Sequence, residues 1–413
     1  MKVDLQPALN DANLDAGQNS NQRQLGTSIS AIASGAGSSV PVNLCLILDH
    51  SGSMKGTPME IVKDAAIRLI DRLKPGDRIS VVAFDHRAKA IVPNQVIDNL
   101  DFVKKRVKAL KAEGGTAIDE GMKLGLDQLA KGAKDTVSQA FVLTDGENEH
   151  GSNDRCLKLA GFAADNSFTL NALGFGDHWN QDVMEKIADA AGGSLSYIEQ
   201  PEQALDVFSE IFNRIQSVTL TNAYLLFDLK PKVRLAELKP IAQVAPDTIE
   251  LPVNKEPNGE FSVRLGDLMT DVQRVILANL YIGQLSEGRQ AIAQLRVRYD
   301  NPATGEKGLF SEPVLVDANV LANYQPDIND GIQQNIFALA KYRQTQIAEQ
   351  KLQQGDRLGA ATMLQTAAKT ALQMGDTGGA TVLQGSATQL QDGKELSDAD
   401  RKKTRIVSKT VLQ

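Results

Sequence analysis

Between residues 41 and 216 the chain alternates short apolar runs with stretches of helical period, and this alternation restricts the folds open to it. In the first run Val42, Leu44, Cys45, Leu46, Ile47 and Leu48 are nearly continuous. A strand that is apolar on both sides is buried on both faces, as in a parallel sheet covered by helices. Segment 58–73 follows, with Ile61, Ala65, Ile67, Leu69 and Ile70 near helical spacing and Pro58 suited to a first turn. Pro75, Gly76 and Asp77 make a turn, and 79–84 is again a short apolar strand. Further helices are expected at 102–110, 117–130, 155–164, 183–191 and 204–215. Further strands are expected at 140–144, 168–173 and 196–198. Strands that alternate with helices in this way imply an α/β fold with a doubly wound, mostly parallel sheet, placed at 41–216.

The flanking segments have other periods. Residues 1–40 are polar, with one candidate strand at 24–33 and a Ser/Gly linker at 34–39. After Ser217 the apolar period shifts toward two, with strands expected at 218–221, 223–227, 261–265, 275–282 and 291–297. This region, 217–322, reads as an antiparallel β-sandwich, and the strand at 24–33 is a candidate to join it. Residues 323–413 read as helical, a hairpin broken at Gly355-Asp356 and a final helix pair after the break at 375–379. A chain of 413 residues is long enough for several such cores.

A net charge of −7 argues against nonspecific nucleic-acid binding, which needs a basic surface. No run approaches the roughly 18 apolar residues that cross a bilayer. The first residues lack the apolar core of a signal peptide. Two cysteines, Cys45 and Cys156, make no disulfide framework or metal-ligand spacing. A reducing, cytoplasmic setting is the expectation.

In a doubly wound sheet, ligands gather at the carboxyl ends of the strands. The first strand ends in Asp49, His50, Ser51, Gly52, Ser53 and Met54, which supplies one carboxylate and two hydroxyls along a tight turn. Gly114, Gly115 and Thr116 open a later helix, and the strand before Asp145 and Gly146 ends in a second carboxylate. Hard oxygen donors of this kind suit Mg²⁺, Mn²⁺ or Ca²⁺.

These residues, DHSGSM, then GGT, then LTDG on an alternating β/α chain, resemble the von Willebrand factor type A (VWA) domain, in the form found in bacterial proteins. The resemblance implies a metal-ion-dependent adhesion site at Asp49, Ser51, Ser53, Thr116 and Asp145. It implies that the serines and Thr116 approach the ion, the two aspartates act mostly through water, and an acidic side chain of a partner protein completes the sphere. The expected ion is Mg²⁺, because Mg²⁺ keeps bound water. The expected function is a non-enzymatic, metal-dependent protein-binding module for adhesion or assembly. The alternative is a scaffold or adaptor subunit of an ATP-driven complex in which the metal is mainly structural. A Mg²⁺-dependent hydrolase is disfavoured, since Ser51 stands where a second catalytic Asp is needed and no phosphate-cradling loop is present.

Other residues have plainer readings. Thr116 suits a helix N-cap, and Asp119 and Glu120 suit the first turn of the same helix. His50 and His86 lack metal-ligand spacing. Cys45 reads as core. Glu147, Glu149 and His150 read as a solvated loop, and Arg401, Lys402, Lys403 and Arg405 as a solvated helix face.

Overall fold

The computed structural model describes residues 2–32, 40–176, 178–200 and 203–410, so the linker expected at 34–39 lies outside the described residues. The chain opens with β1 (Lys2–Leu9), β2 (Asn13–Asp15) and β3 (Ser20–Ile32). The apolar pattern anticipates only the last of these. In β1 only Leu5 and Leu9 are buried, too sparse an alternation to read, and Pro7 is tolerated because β1 is an edge strand.

Next come β4 (Val42–Asp49), α1 (Thr57–Asp71), β5 (Arg78–Phe84), β6 (Ala88–Val96), α2 (Leu100–Lys108), α3 (Ile118–Ala130) and β7 (Val137–Thr144). They are followed by α4 (Asn153–Asp165), β8 (Thr169–Phe175), α5 (Gln181–Ala191), β9 (Leu195–Ile198) and α6 (Ala204–Gln216). The sheet order is β6-β5-β4-β7-β8-β9, parallel except for β6. All eight residues of β4 are buried, because each face carries a helical layer. Leu44, Leu46 and Leu48 pack with α1, α2 and α6, whereas Cys45 and Ile47 pack with α3, α4 and α5. The apolar pattern gave no strand between 84 and 102. β6 is an edge strand that buries only Val92 and carries Pro93, so it lacks the run that marks its neighbours.

The chain then forms β10 (Val218–Leu229), β11 (Val233–Leu235), β12 (Ile241–Ala245), β13 (Ile249–Glu250), β14 (Asn254–Lys255), β15 (Phe261–Met269), β16 (Arg274–Gly283), β17 (Gly288–Asn301), β18 (Glu306–Phe310) and β19 (Val314–Leu321). Among the described residues these and the N-terminal strands make two sheets. One runs β1-β3-β16-β12-β13 with β11 on β16. The other runs β14-β15-β10-β17-β19-β2 with β18 on β17. Pairing is antiparallel apart from β2 with β19. Leu25 and Ile29 of β3 share a core with Leu225, Phe227, Leu280 and Leu295, which makes the pair a sandwich. The α/β domain is therefore inserted between β3 and β10 of the sandwich.

Four helices end the chain: α7 (Asp330–Gln353), α8 (Arg357–Gln373), α9 (Thr377–Gln391) and α10 (Asp398–Lys409). Asp356 and Asp376 cap α8 and α9, each accepting from a backbone amide at 2.8 Å. The helices pack closely because their shared faces are rich in alanine, with Leu364, Leu383 and Leu390 between them. α7 lies on the sandwich through Ile332, Leu339 and Tyr342. No helix among the described residues is long and apolar enough to cross a membrane.

Of the run 401–405 only Arg401 keeps the solvated position expected from composition. Lys402 is buried, Lys403 pairs with Glu199 at 2.7 Å, and Arg405 pairs with Glu349 at 3.1 Å and with Asp182 and Glu185 of α5. Lys409 meets Glu185 at 2.9 Å and Asp189 at 2.8 Å. Lys341 Nζ donates to Asp376 and to the Thr410 carbonyl, both at 2.7 Å, which ties the end of α10 to the other helices. The carboxylates that neutralise α10 lie far off in the chain, Glu349 56 residues and Asp189 220 residues away, so no local pattern marks them. Burial alone would lower the Lys409 pKa, but Asp189 and Glu185 outweigh it and hold it above the lysine range. Its stabilising contribution is therefore complete below about 10.5, the ordinary lysine value, and is lost only as pH rises through the raised one. Lys409→Met leaves Asp189 without its cation and Glu185 with Arg405 alone, and is expected to cost about 3–5 kcal/mol, the scale for breaking a buried pair. Urea unfolding followed by the single tryptophan, Trp179, which lies 4.7 Å from Lys402 Nζ, measures the loss.

Candidate metal centre

Asp49 is the last residue of β4 and is fully buried. The parallel register that places Leu48 beside Leu143 brings Thr144, at the end of β7, next to it. The Thr144 hydroxyl donates to Asp49 Oδ2 at 2.6 Å, and the Ser51 amide donates to Asp49 Oδ1 at 2.8 Å. The carboxylate thus turns the backbone as the strand ends, and a short 3₁₀ turn over Gly52–Met54 follows, anchored by buried Met54. Gly52 N donates to the Gly114 carbonyl at 2.9 Å and Glu113 N to the His50 carbonyl at 2.7 Å, which fastens the second loop to the first.

The side chains that emerge from these loops converge. Ser51 Oγ and Ser53 Oγ are 3.0 Å apart, and Ser53 Oγ donates to Asp145 Oδ1 at 2.7 Å. Gly146 locates Thr116, because a β-carbon there would stand 3.3 Å from Thr116 Oγ1 and 3.9 Å from Ser53 Oγ. The structure therefore brings Asp49, Ser51, Ser53, Thr116 and Asp145 to one edge of the sheet. Among the described residues no three His, Cys, Asp or Glu side chains cluster as a metal site. This centre is instead rich in hydroxyls.

Its electrostatics follow from burial. Loss of water raises the Asp49 pKa to about 6 against the hydrogen bonds from Thr144 and Ser51, and nearby Asp145 raises it further. Burial also raises Asp145, with Ser53 and His178 acting the other way. Two neighbouring carboxylates are thus held mainly by neutral donors, an arrangement that a cation would stabilise.

Thr116 is not the N-cap of α3. The amide of Ile118 is taken by the Asn148 side chain at 2.8 Å, which leaves the Thr116 hydroxyl for the centre. Asp119 and Glu120 do more than face a helix end, since both hold Arg155 of α4, at 2.9 and 2.5 Å. Thr144 and Asn148 are the supporting residues that sequence reasoning missed. A Thr before the Asp of LTDG was visible, but its partner is fixed by strand register. His50 Nδ1 lies 3.1 Å from the Lys111 carbonyl and His86 Nδ1 lies 3.4 Å from Asp85. The His150 ring packs over Gly115, where a β-carbon would meet it at 2.1 Å. Cys45 and Cys156 are free and buried, and burial pushes both thiols up to about 12. The centre opens into a cleft of about 860 Å³, rimmed by exposed Glu147 and Glu149 and by His178, with α10 on its far side.

The fold and this edge of the sheet define a VWA domain, and the von Willebrand factor type A family model matches residues 43–211. Domains of this type typically mediate protein–protein interaction. A second model, the Sll0103-like C-terminal alpha-helical domain, matches residues 330–413. The chain belongs to the family of the Synechocystis sp. protein sll0103, to which it is 58% identical over 413 residues, covering 100% of this chain and 98% of that one. Inter-alpha-trypsin inhibitor heavy chain H4 of Bos taurus is 27% identical over 195 residues, 44% of this chain, and this chain spans only 21% of its length. Among solved structures, a von Willebrand factor type A protein from Catenulispora acidiphila superposes with a TM-score of 0.82 at 18% identity, covering 100% of this chain and 97% of that one. The ArnB paralog VWA2 from Sulfolobus acidocaldarius gives 0.57 at 14% identity, covering 99% and 98%. These two likenesses concern the fold.

Thr144→Val removes the hydroxyl that holds a buried carboxylate. It is expected to cost about 1.5–3 kcal/mol, the range for a hydrogen bond to a charged group. The shift in urea midpoint at constant slope measures it.

Proposed function

We propose that the VWA domain is a metal-dependent protein-binding module whose ion receives an acidic side chain from a partner protein. The observation that carries this reading is the line Ser51–Ser53–Asp145, with Thr116 converging on it, at the carboxyl edge of the sheet and open to the cleft. Ser51, Ser53 and Thr116 would supply hydroxyl oxygens to Mg²⁺, and Asp49 and Asp145 would supply the balancing charge. Mn²⁺ and Ca²⁺ accept the same donors. A cation held largely by hydroxyls and water stays electrophilic, and so attracts a further carboxylate. Asp49 and Thr144 position the serine turn, and the contacts of residues 113–114 with the motif turn keep the second loop in place.

Calorimetric titration of chelator-stripped protein with Mg²⁺, Mn²⁺ and Ca²⁺ tests the reading. The expected result is one ion per chain for the wild type and none for Ser51→Ala or Asp145→Ala. Gly146→Ala, which crowds the Thr116 hydroxyl without altering a donor, is expected to weaken binding ~10-fold or more, as changes beside a metal's ligands do. Heats for the wild type no different from those of Ser51→Ala would overturn the assignment.

A further inference from the structure

The far wall of the cleft belongs to the helical region. Glu349 of α7 and Arg401, Lys402 and Arg405 of α10 line it opposite the serine turn. A second, smaller pocket of about 150 Å³ adjoins the cleft, since Gln181, Glu349, Arg401 and Arg405 border both. Ala348 and Leu352 of α7, Leu364 of α8 and Leu396 before α10 give this second pocket its apolar lining, and Thr345, Gln353 and Thr404 line it beside the four shared residues. A cavity of roughly 150 Å³ takes a group the size of benzene, and here four aliphatic side chains would meet it among polar neighbours. The socket thus has the dimensions of one leucine or phenylalanine side chain.

The charges at the junction are divided. Arg405 is committed to Glu349, Asp182 and Glu185 and acts as a structural strut. Arg401, between the two pockets, is exposed and makes no salt bridge among the described residues. The wall itself is fixed, because Lys409 and Arg405 pin α10 to α5 and Lys341 pins its end to α7. A preformed socket beside a charged anchor is the arrangement that concentrates binding energy in a few side chains.

We propose that the two pockets form one composite cleft for a linear segment of a partner protein. The segment places an Asp or Glu on the ion and a bulky aliphatic or aromatic side chain in the socket between α7, α8 and Leu396; Arg401 at the junction can pair with one further acidic residue, whereas Glu147, Glu149 and Asp398, which also line the cleft, disfavour a run of them. The helical region then reads part of the partner sequence and does not merely support the VWA domain. This inference rests on the metal-bridging reading above.

The test is selection of a phage-displayed random 12-residue peptide library on the immobilised full chain in Mg²⁺, with elution by chelator. The eluted peptides are expected to share an acidic residue and, at one fixed separation from it, a Leu, Ile, Met or Phe. Replacing that apolar residue by Ser in a synthetic peptide is expected to weaken binding about tenfold or more, the scale of a buried anchor. Leu352→Arg, which sends a charged chain into the socket from a half-buried position, is expected to abolish the apolar preference and keep the acidic one. Arg401→Glu, at an exposed position, is expected to weaken the same peptides without changing the urea midpoint. Acidic peptides with no fixed apolar position, bound equally well by Leu352→Arg, would overturn the composite cleft and leave the metal-bridging reading intact. Absence of chelator-eluted peptides together with absence of Mg²⁺ heat would overturn both.

Discussion

The buried carboxylate of Asp49 sits at the point where the central strand of the parallel sheet becomes a loop. Its two oxygens accept from the Thr144 hydroxyl and the Ser51 amide. One bond fixes the end of β4 to the end of β7, and the other bends the chain so that Ser51 and Ser53 face the same opening. A charge without water is costly unless it is hydrogen-bonded, so these bonds also decide the path of the loop. The hydroxyl-rich centre depends on that path, as does the loop at 113–114 that fastens to the motif turn.

A second constraint acts from the far end of the chain. α10 carries a dense basic run, and Lys403, Arg405 and Lys409 are matched by carboxylates on α5 and after β9 of the inserted domain and on α7. The matching brings the helical region against the loops that follow β8, and these loops border the cleft. The sandwich serves both neighbours. It receives α7 on Leu277 and Val244, and through Asp267 it accepts hydrogen bonds from Gln139 and Thr169 at the amino ends of β7 and β8. The carboxyl ends of the same strands are left to the centre.

The features legible in the sequence were those written in contiguous residues. The apolar runs of β4, β5 and β7 announce a sheet buried on both faces. The converging side chains of Asp49, Ser51 and Ser53 lie within one turn, and Thr116 and Asp145 each follow or precede a glycine at an element boundary. The residues that support them were not legible. Thr144 and Asn148 act through register and loop packing, and an unremarkable Thr or Asn carries no sign of either. β1 and β6 are edge strands with one poorly buried face, so their alternation is weak. The basic run in α10 looked solvated because composition does not show that Glu185 and Asp189 stand opposite. Long-range electrostatic pairing is the information that a linear pattern lacks.

The insertion of the VWA domain within the sandwich has a consequence for how the chain is made. β3 pairs with β16, and Ser28 finds its hydrogen-bond partner Gln273 245 residues later. At translation rates of about 5–20 residues per second, β1 and β3 emerge roughly 10–50 s before the strand that completes their sheet. Their exposed backbone edges are open to wrong pairing for that interval. The α/β domain, by contrast, has all its strands between residues 42 and 198 and can close first. The nascent protein thus folds from its middle outward, and the sandwich that frames the finished molecule closes after the domain it carries.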